Sequence, residues 1–347
     1  MSQHSCNSFE MEKVLNRLEQ HLERRIDPEF ISVHSVEEAV RVLTEHGREA
    51  RLLAGGLDLV GLMKSRIDFP RVLVNIKPIE RLRFMAATAE GLRIGSLTRI
   101  QEIEASELIR QRQPILAQGA HQVGSPHVRR MATLAGNLCQ QTRCWYYRRS
   151  PDTGLSFHCR RKGSGKVCHA LGGEDQYHAI FDRQVCSSAF PSDLGVALSA
   201  LDATIRLTGP RGSRTLPVAE MYGALGPSLA PDEMITAINV PERSQGARQK
   251  FIKFRLRKSI DFAVTSVAIS CGMAGEMVEE ARIFLGGVSP LPYRARLAED
   301  LITGHRLTPK LAEQAGAAAV ADAEPSARNA YKVRLCQALV QRALLGA

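Results

Sequence analysis

The chain has 347 residues, 44% hydrophobic and 24% charged, a balance that supports one large core or two domains and excludes wholesale disorder. No run of roughly 18 apolar residues is present, which speaks against a membrane-spanning helix. The net charge of +10 would suit nucleic acid, but the arginines are scattered, aromatics make up only 5%, and no zinc-finger or helix-turn-helix pattern occurs, so phosphorylated ligands and acidic partner surfaces suit the excess equally well.

In chain order, residues 9–26 place Met11, Leu15, Leu18 and Leu22 at helical spacing among charges, an amphipathic helix that packs on its own domain or docks on a partner. Glu10, Glu12 and Glu19 exclude a secretory signal there, so a cytoplasmic location is expected. Val36–Leu43 reads as a helix capped by Ser35, followed by a strand at 50–53, the turn AGGLDL, and the helix-like LVGLMKSR. Strands are expected at 72–76 and 92–96, then one helix from Thr98 to about Arg112. Residues 114–138 read as helix, loop and a second small-residue turn, ATLAGNL. Residues 139–187 break the pattern; a stretch this long without periodicity is usually functional or disordered. A helix at 193–201 and the strand ATIRLTG follow. The alternating KFIKFRLRK, then FAVTSVAISCGM and ARIFLGGV, predict antiparallel strands before a helical end from Ala295. The pattern is α+β, divided into an extension at 1–28, a domain at 29–243 with an insertion at 139–189, and a smaller domain at 247–347.

Two loops suggest a phosphate ligand. A strand running into Gly55 and Gly56 and then a helix lets backbone N–H groups approach an anion, although the dinucleotide-binding spacing G-x-G-x-x-G is missing and a glycine pair is commonly only a tight turn. The loop Thr133-Leu134-Ala135-Gly136-Asn137 repeats the small-residue chemistry, and the pair could grip two phosphates.

Of the eight cysteines, Cys6, Cys271 and Cys336 are isolated, and Cys271 lies in an apolar run where a small core residue fits. Cys139, Cys144, Cys159, Cys168 and Cys186 form C-x4-C-x14-C-x8-C-x17-C. Clustered thiols in a reducing compartment point to metal chemistry, zinc or iron–sulfur. The wide spacings and the missing C-x2-C knuckles favour a [4Fe–4S] cube. Arg143, Arg148, Arg149, Arg160, Arg161 and Lys162 would offset its negative charge, and His158, His169 or His178 could replace a cysteine. Asp193 either accepts from a ribose hydroxyl or caps the following helix beside Ser192. Lys253 either faces a cofactor or points to solvent. No hydrolase triad, H-E-x-x-H or Walker motif occurs.

The segments RLLAGGLDLVGLMK, RIGSLTRI, VGSPHVRRMATLAGNL, PSDLGVALSALDA, FIKFRLRKSIDFA with FLGGVSP, and the closing NAYKVRLCQALVQRALL stand in the same order as in the FAD-binding subunits of molybdenum hydroxylases, the xanthine dehydrogenase family, which the chain resembles from about residue 30 onward. The resemblance implies a flavin domain of the vanillyl-alcohol-oxidase type (PCMH-type) followed by a CO-dehydrogenase-flavoprotein-like C-terminal domain. It places Leu52, Leu53, Ala54, Gly55, Gly56, Leu57, Asp58 and Leu59, together with Thr133, Leu134, Ala135, Gly136 and Asn137, around the FAD pyrophosphate. Val123 falls on the adenine side, Asp193 near the ribityl or ribose, and Lys253 at the flavin.

The insertion is similar to the [4Fe–4S]-bearing branch, including the β subunit of 4-hydroxybenzoyl-CoA reductase and the flavin subunit of bacterial aldehyde oxidoreductase. That likeness makes Cys144, Cys159, Cys168 and Cys186 the ligands. The reductase's fourth cysteine falls at Tyr177 here, whereas Cys186 matches the aldehyde oxidoreductase pattern and Cys139 stands in reserve. The implied partners are a molybdopterin-binding large subunit, a [2Fe–2S] small subunit and an external carrier such as ferredoxin. The implied reaction is oxidation or reductive dehydroxylation of an aromatic, aldehyde or CoA-ester substrate. The alternative is a self-contained FAD oxidase or dehydrogenase of the same fold, for which His127, beside the second loop, is the tempting residue.

Overall fold

The computed structural model describes residues 27–149, 157–163, 165–243 and 246–346; the helix expected at 9–26 lies outside them. The first unit is a small parallel sheet in the order β1-β3-β2: β1 (Glu29–Ser32), β2 (Ala50–Leu53) and β3 (Val72–Asn75). Parallel neighbours need crossovers, here supplied by helices. α1 (Val36–His46) is capped as expected, its Ser35 hydroxyl accepting from the Glu38 N–H, and it buries Val36, Ala39, Val40 and Leu43 on the sheet. α2 (Leu59–Lys64) makes the second crossover.

A five-stranded antiparallel sheet, ordered β4-β5-β10-β6-β7, forms the next layer: β4 (Met85–Thr88), β5 (Gly91–Gly95), β6 (Thr204–Gly209), β7 (Gly212–Pro217) and β10 (Met234–Pro241), with the small hairpin β8 (Tyr222–Gly223) and β9 (Gly226–Pro227) beside it. Between β5 and β6 run α3 (Ile100–Ala105), α4 (Glu107–Arg112), α5 (Pro114–His121), α6 (Pro126–Met131), α7 (Leu134–Leu138), α8 (Trp145–Arg148) and α9 (Asp193–Ala200). The single helix expected over 98–112 is therefore two. Ser106 takes extended backbone angles between them, and its hydroxyl accepts from the Ile109 N–H, so one serine ends α3 and starts α4.

The last unit is an antiparallel sheet ordered β11-β12-β13-β14, with β11 (Arg248–Phe254), β12 (Thr265–Ala274), β13 (Met277–Gly286) and β14 (Tyr293–Arg294), backed by α10 (Arg296–Ile302), α11 (Pro309–Ala318) and α12 (Tyr331–Leu345). β11 stops at Phe254 rather than running to Lys258, because the Asp261 carboxylate accepts from the Arg257 N–H and folds 255–262 into a loop. The two larger units are joined through α5 and β11: Phe251 donates its N–H to Gln118 Oε1 at 2.8 Å, and Phe251, Ala268 and Phe284 share one core with Leu116 and Ile115.

Candidate functional site

A cleft of about 520 Å³ opens where the parallel sheet, the α6 and α7 helices and the loop 255–262 meet, a size typical of cofactor sites. Leu52, Ala54 to Leu59, Val123, Thr133, Ala135 to Asn137, Asp193 and Lys253 all line it. Two of the expected residues do not: Leu53 packs behind Gly56, and Leu134 is fully buried in the main core.

The two loops touch. A Cβ on Gly55 would lie 2.2 Å from the Met131 carbonyl oxygen, so only glycine lets residue 55 approach the chain entering the second loop, and Gly56 has φ +73°. Their donors differ. Among the described residues, the N–H groups of Gly55, Gly56, Leu57 and Asp58 donate to no protein acceptor. In the second loop, Leu134 N–H donates to Thr98 O, Ala135 N–H to Ser96 O, and Gly136 N–H to Thr133 Oγ1. The second loop therefore offers a wall rather than a phosphate cradle.

Asp58 is engaged by the insertion. Its carboxylate accepts from Arg143 and Arg148 at 2.8 and 2.7 Å and from the Gln141 N–H at 2.8 Å, fastening the first loop to the insertion. At the far wall, Lys253 Nζ lies 2.7 Å from Asp193 Oδ2 and donates to the Gln122 carbonyl; the two side chains are 1% and 7% exposed. A solvent-facing Lys253 is thus overturned, since the strand alternation points it into the joint between the two units. Burial raises the Asp193 carboxyl, and Lys253 opposes that shift. The helix cap belongs to Ser192, which accepts from the Gly195 N–H and donates to Asn137 Oδ1.

In the insertion, Cys144, Cys159, Cys168 and Cys186 line one small apolar cavity of about 20 Å³, whereas Cys139 lies in the wall of the large cleft, its thiol pushed by burial up to about 12. The cavity holds little more than a water, so seating a cluster requires the thiols to spread. Among the described residues no three His, Cys, Asp or Glu side chains are set to hold a single metal ion. Burial pushes the Cys144 thiol up to about 11, with Cys186 and Cys168 adding to it. The basic neighbours brace the loop itself: Arg160 donates to the Lys166, Gln184 and Val185 carbonyls, Arg161 to Ser188 and Ala224, and Lys162 to the Arg149 carbonyl. His178 Nε2 lies 3.2 Å from Cys144 Sγ, and burial followed by the charge of Lys332 lowers the His178 ring to about 4, so it is neutral near pH 7.

A third cavity of about 370 Å³ bridges the two sites. It shares Arg143, Pro191, Asp261 and Phe262 with the large cleft and Cys144 with the thiol cavity, and the Arg143 guanidinium lies 4.7 Å from the centre of the Phe262 ring. Arg143 was expected only as a charge-offsetting neighbour of the cysteines, and Phe262 and Gln141 carry no local signal that would place them in these walls.

Residues 24–243 match the model of the FAD-binding domain in molybdopterin dehydrogenases, and residues 250–347 match the CO dehydrogenase flavoprotein C-terminal domain. The chain belongs to the FAD subunits of the molybdenum hydroxylase family. Among these subunits, the aldehyde oxidoreductase FAD-binding subunit PaoB of Escherichia coli (strain K12) is 33% identical over 83% of this chain and 88% of its own. The carbon monoxide dehydrogenase medium chain of Hydrogenophaga pseudoflava is 28% identical over 91% and 95%. A solved structure of carbon monoxide dehydrogenase from that organism, lacking the Mo-pyranopterin moiety of its cofactor, superposes with a TM-score of 0.74 at 28% identity, covering 92% of this chain and 96% of the other. His127, which would favour a self-contained oxidase, is exposed on α6 and outside the cleft's lining. No helix among the described residues is long and apolar enough to cross a membrane.

Proposed function

We propose that the chain is the electron-transfer FAD subunit of a molybdenum hydroxylase complex and that Cys144, Cys159, Cys168 and Cys186 hold an added [4Fe–4S] cluster. The observation that carries the reading is the placement of those four thiols around one cavity, joined by the bridging cavity to the large cleft. Chemically the donor set fits: soft anionic sulfur suits iron–sulfur clusters, and a shell of arginines offsets their charge.

The unpaired N–H groups of Gly55 to Asp58 would hold the FAD pyrophosphate. Val123 borders the adenine side, Thr133, Gly136 and Asn137 form the opposite wall, and the Asp193–Lys253 pair presents a fixed dipole to the sugar and ring portion. Phe262 and Pro191 line the passage between cleft and thiols. When bound, FAD exchanges electrons in pairs or singly and a [4Fe–4S] centre exchanges them one at a time, so the protein needs no acid–base residue of its own. Relatives named as FAD-binding subunit and medium chain support a molybdopterin-binding large subunit and a [2Fe–2S] small subunit as partners. The substrate, an aldehyde, aromatic or CoA-ester, would react on the large subunit, with a ferredoxin-like carrier at the added cluster.

Iron, zinc, sulfide and flavin content of the anaerobically purified complex tests this. About four irons and four sulfides beyond those of the [2Fe–2S] small subunit, beside one releasable FAD, support it. Flavin with zinc or without metal removes the cluster, and absence of flavin removes the whole reading.

A further inference from the structure

The strip Asp175 to Ala179 is gripped by residues far along the chain. Five consecutive carbonyls are taken by three side chains near the start of α12. Asn329 Nδ2 donates to Asp175 O and Ala179 O, the Tyr331 hydroxyl to Gln176 O at 2.8 Å, and Lys332 Nζ to Tyr177 O and His178 O at 3.0 and 2.9 Å. Lys332 Nζ also donates to Gly287 O at 2.8 Å, and both Lys332 and Asn329 are fully buried. Ser326 Oγ donates to the Asp175 carboxylate, which also pairs with Arg183.

A plain loop anchor does not require every carbonyl of a strip to be fixed. What the strip delivers is His178, whose ring is packed edge-on against Trp145 with centroids 5.0 Å apart and whose Nε2 meets Cys144 Sγ. The tautomer follows from the neighbours. Nδ1 is buried with no hydrogen-bond partner, and leaving a lone pair unpaired is tolerated better than leaving an N–H unpaired. Nε2 therefore carries the hydrogen, and a thiolate at Cys144 can only accept it.

We propose that the clamp of Asn329, Tyr331 and Lys332 is a positioning device that holds His178 as an N–H donor to the Cys144 thiolate, and that this hydrogen bond sets the reduction potential of the cluster. The inference rests on the cluster reading above. Hydrogen bonds to ligand sulfur withdraw charge from a cluster and raise its potential. Removing the donor makes the cluster harder to reduce.

The test is a potentiometric titration of the purified complex, following the reduced cluster by electron paramagnetic resonance, with iron and sulfide measured on each sample. Relative to the unsubstituted protein, His178→Leu should shift the cluster potential to more negative values with iron content unchanged. His178→Gln, which keeps an N–H, should recover part of the shift. Asn329→Ala and Tyr331→Phe should each give a smaller shift of the same sign while the flavin potential stays put. Unchanged potentials in His178→Leu overturn the proposal, and a shift in His178→Leu with none in the two clamp variants overturns the positioning role. If His178→Leu fails to hold iron, retention in His178→Gln supports a donor and loss in both overturns it. An unsubstituted complex with no [4Fe–4S] signal and no iron beyond that of its [2Fe–2S] subunit fails the cluster reading, and this inference with it.

Discussion

The two small-residue loops that meet in the cleft are bonded differently. Loop 54–58 keeps four N–H groups without acceptors among the described residues and ties itself down through a side chain, Asp58, held by Arg143, Arg148 and Gln141. Loop 133–137 does the reverse: its amides are committed to Thr98, Ser96 and Thr133, and Asn137 holds Ser192 at the start of α9. One loop is stabilised so that its backbone stays available, and the other so that its surface stays still. Small residues allow close approach in both, but only unpaired donors make an anion site.

The contrast can be broken most severely at Gly55. Gly55→Ala drives a Cβ into the Met131 carbonyl, and overpacking against backbone is expected to cost about 1–3 kcal/mol, with loss of flavin from the purified protein; retained flavin would show that the loop does not need this approach. Asp58→Asn should cost about 1–3 kcal/mol by leaving two partly buried arginines short of their acceptor. It should loosen the insertion before the cleft, seen as proteolytic cleavage within 139–189 ahead of FAD release on mild heating. Thr133→Ala removes the cap of α7 and should lower stability by about 1 kcal/mol in denaturant unfolding, with flavin affinity nearly unchanged. The smallest effect belongs to Gly136→Ala: its Cβ would meet only the Thr133 hydroxyl at 2.8 Å, a side-chain atom. Displacing that hydroxyl weakens the cap of α7, so a stability loss no larger than that of Thr133→Ala, at most about 1 kcal/mol, and full flavin content are expected, and a phenotype as large as that of Gly55→Ala would erase the distinction between the loops.

Much of the fold was legible because it rests on local signals. The Ser35 cap, the alternation through β11 to β13 and the strand at 72–75 are each set by near neighbours. The break at Ser106 was missed because an apolar period ran through it, while the cap needed only one hydroxyl. For the site, the glycines, Val123, Asp193 and Lys253 could be placed by resemblance, but the pairing of Asp193 with Lys253 joins residues 60 positions apart and has no local trace. The cysteines were countable; that Cys186 rather than Cys139 turns to the shared cavity is decided by packing. The amide accounting that separates the two loops depends on carbonyls at Ser96 and Thr98, one strand away in space.

The carbonyl grip on residues 175–179 also fixes an order in time. Its contacts close loops of 150 to 155 residues, and such distant pairings form late because chain entropy must be overcome before they are rewarded. The strip that carries His178 is thus expected to settle after the local hairpin of β12 and β13. Until then the His178 ring has no fixed place beside Cys144, and under the proposed function a cluster could enter before it is set. Pulse-labelled hydrogen exchange during refolding should find the amides of 175–179 protected after those of β12 and β13. Maturation of this protein would then have a window that closes from the far end of the chain.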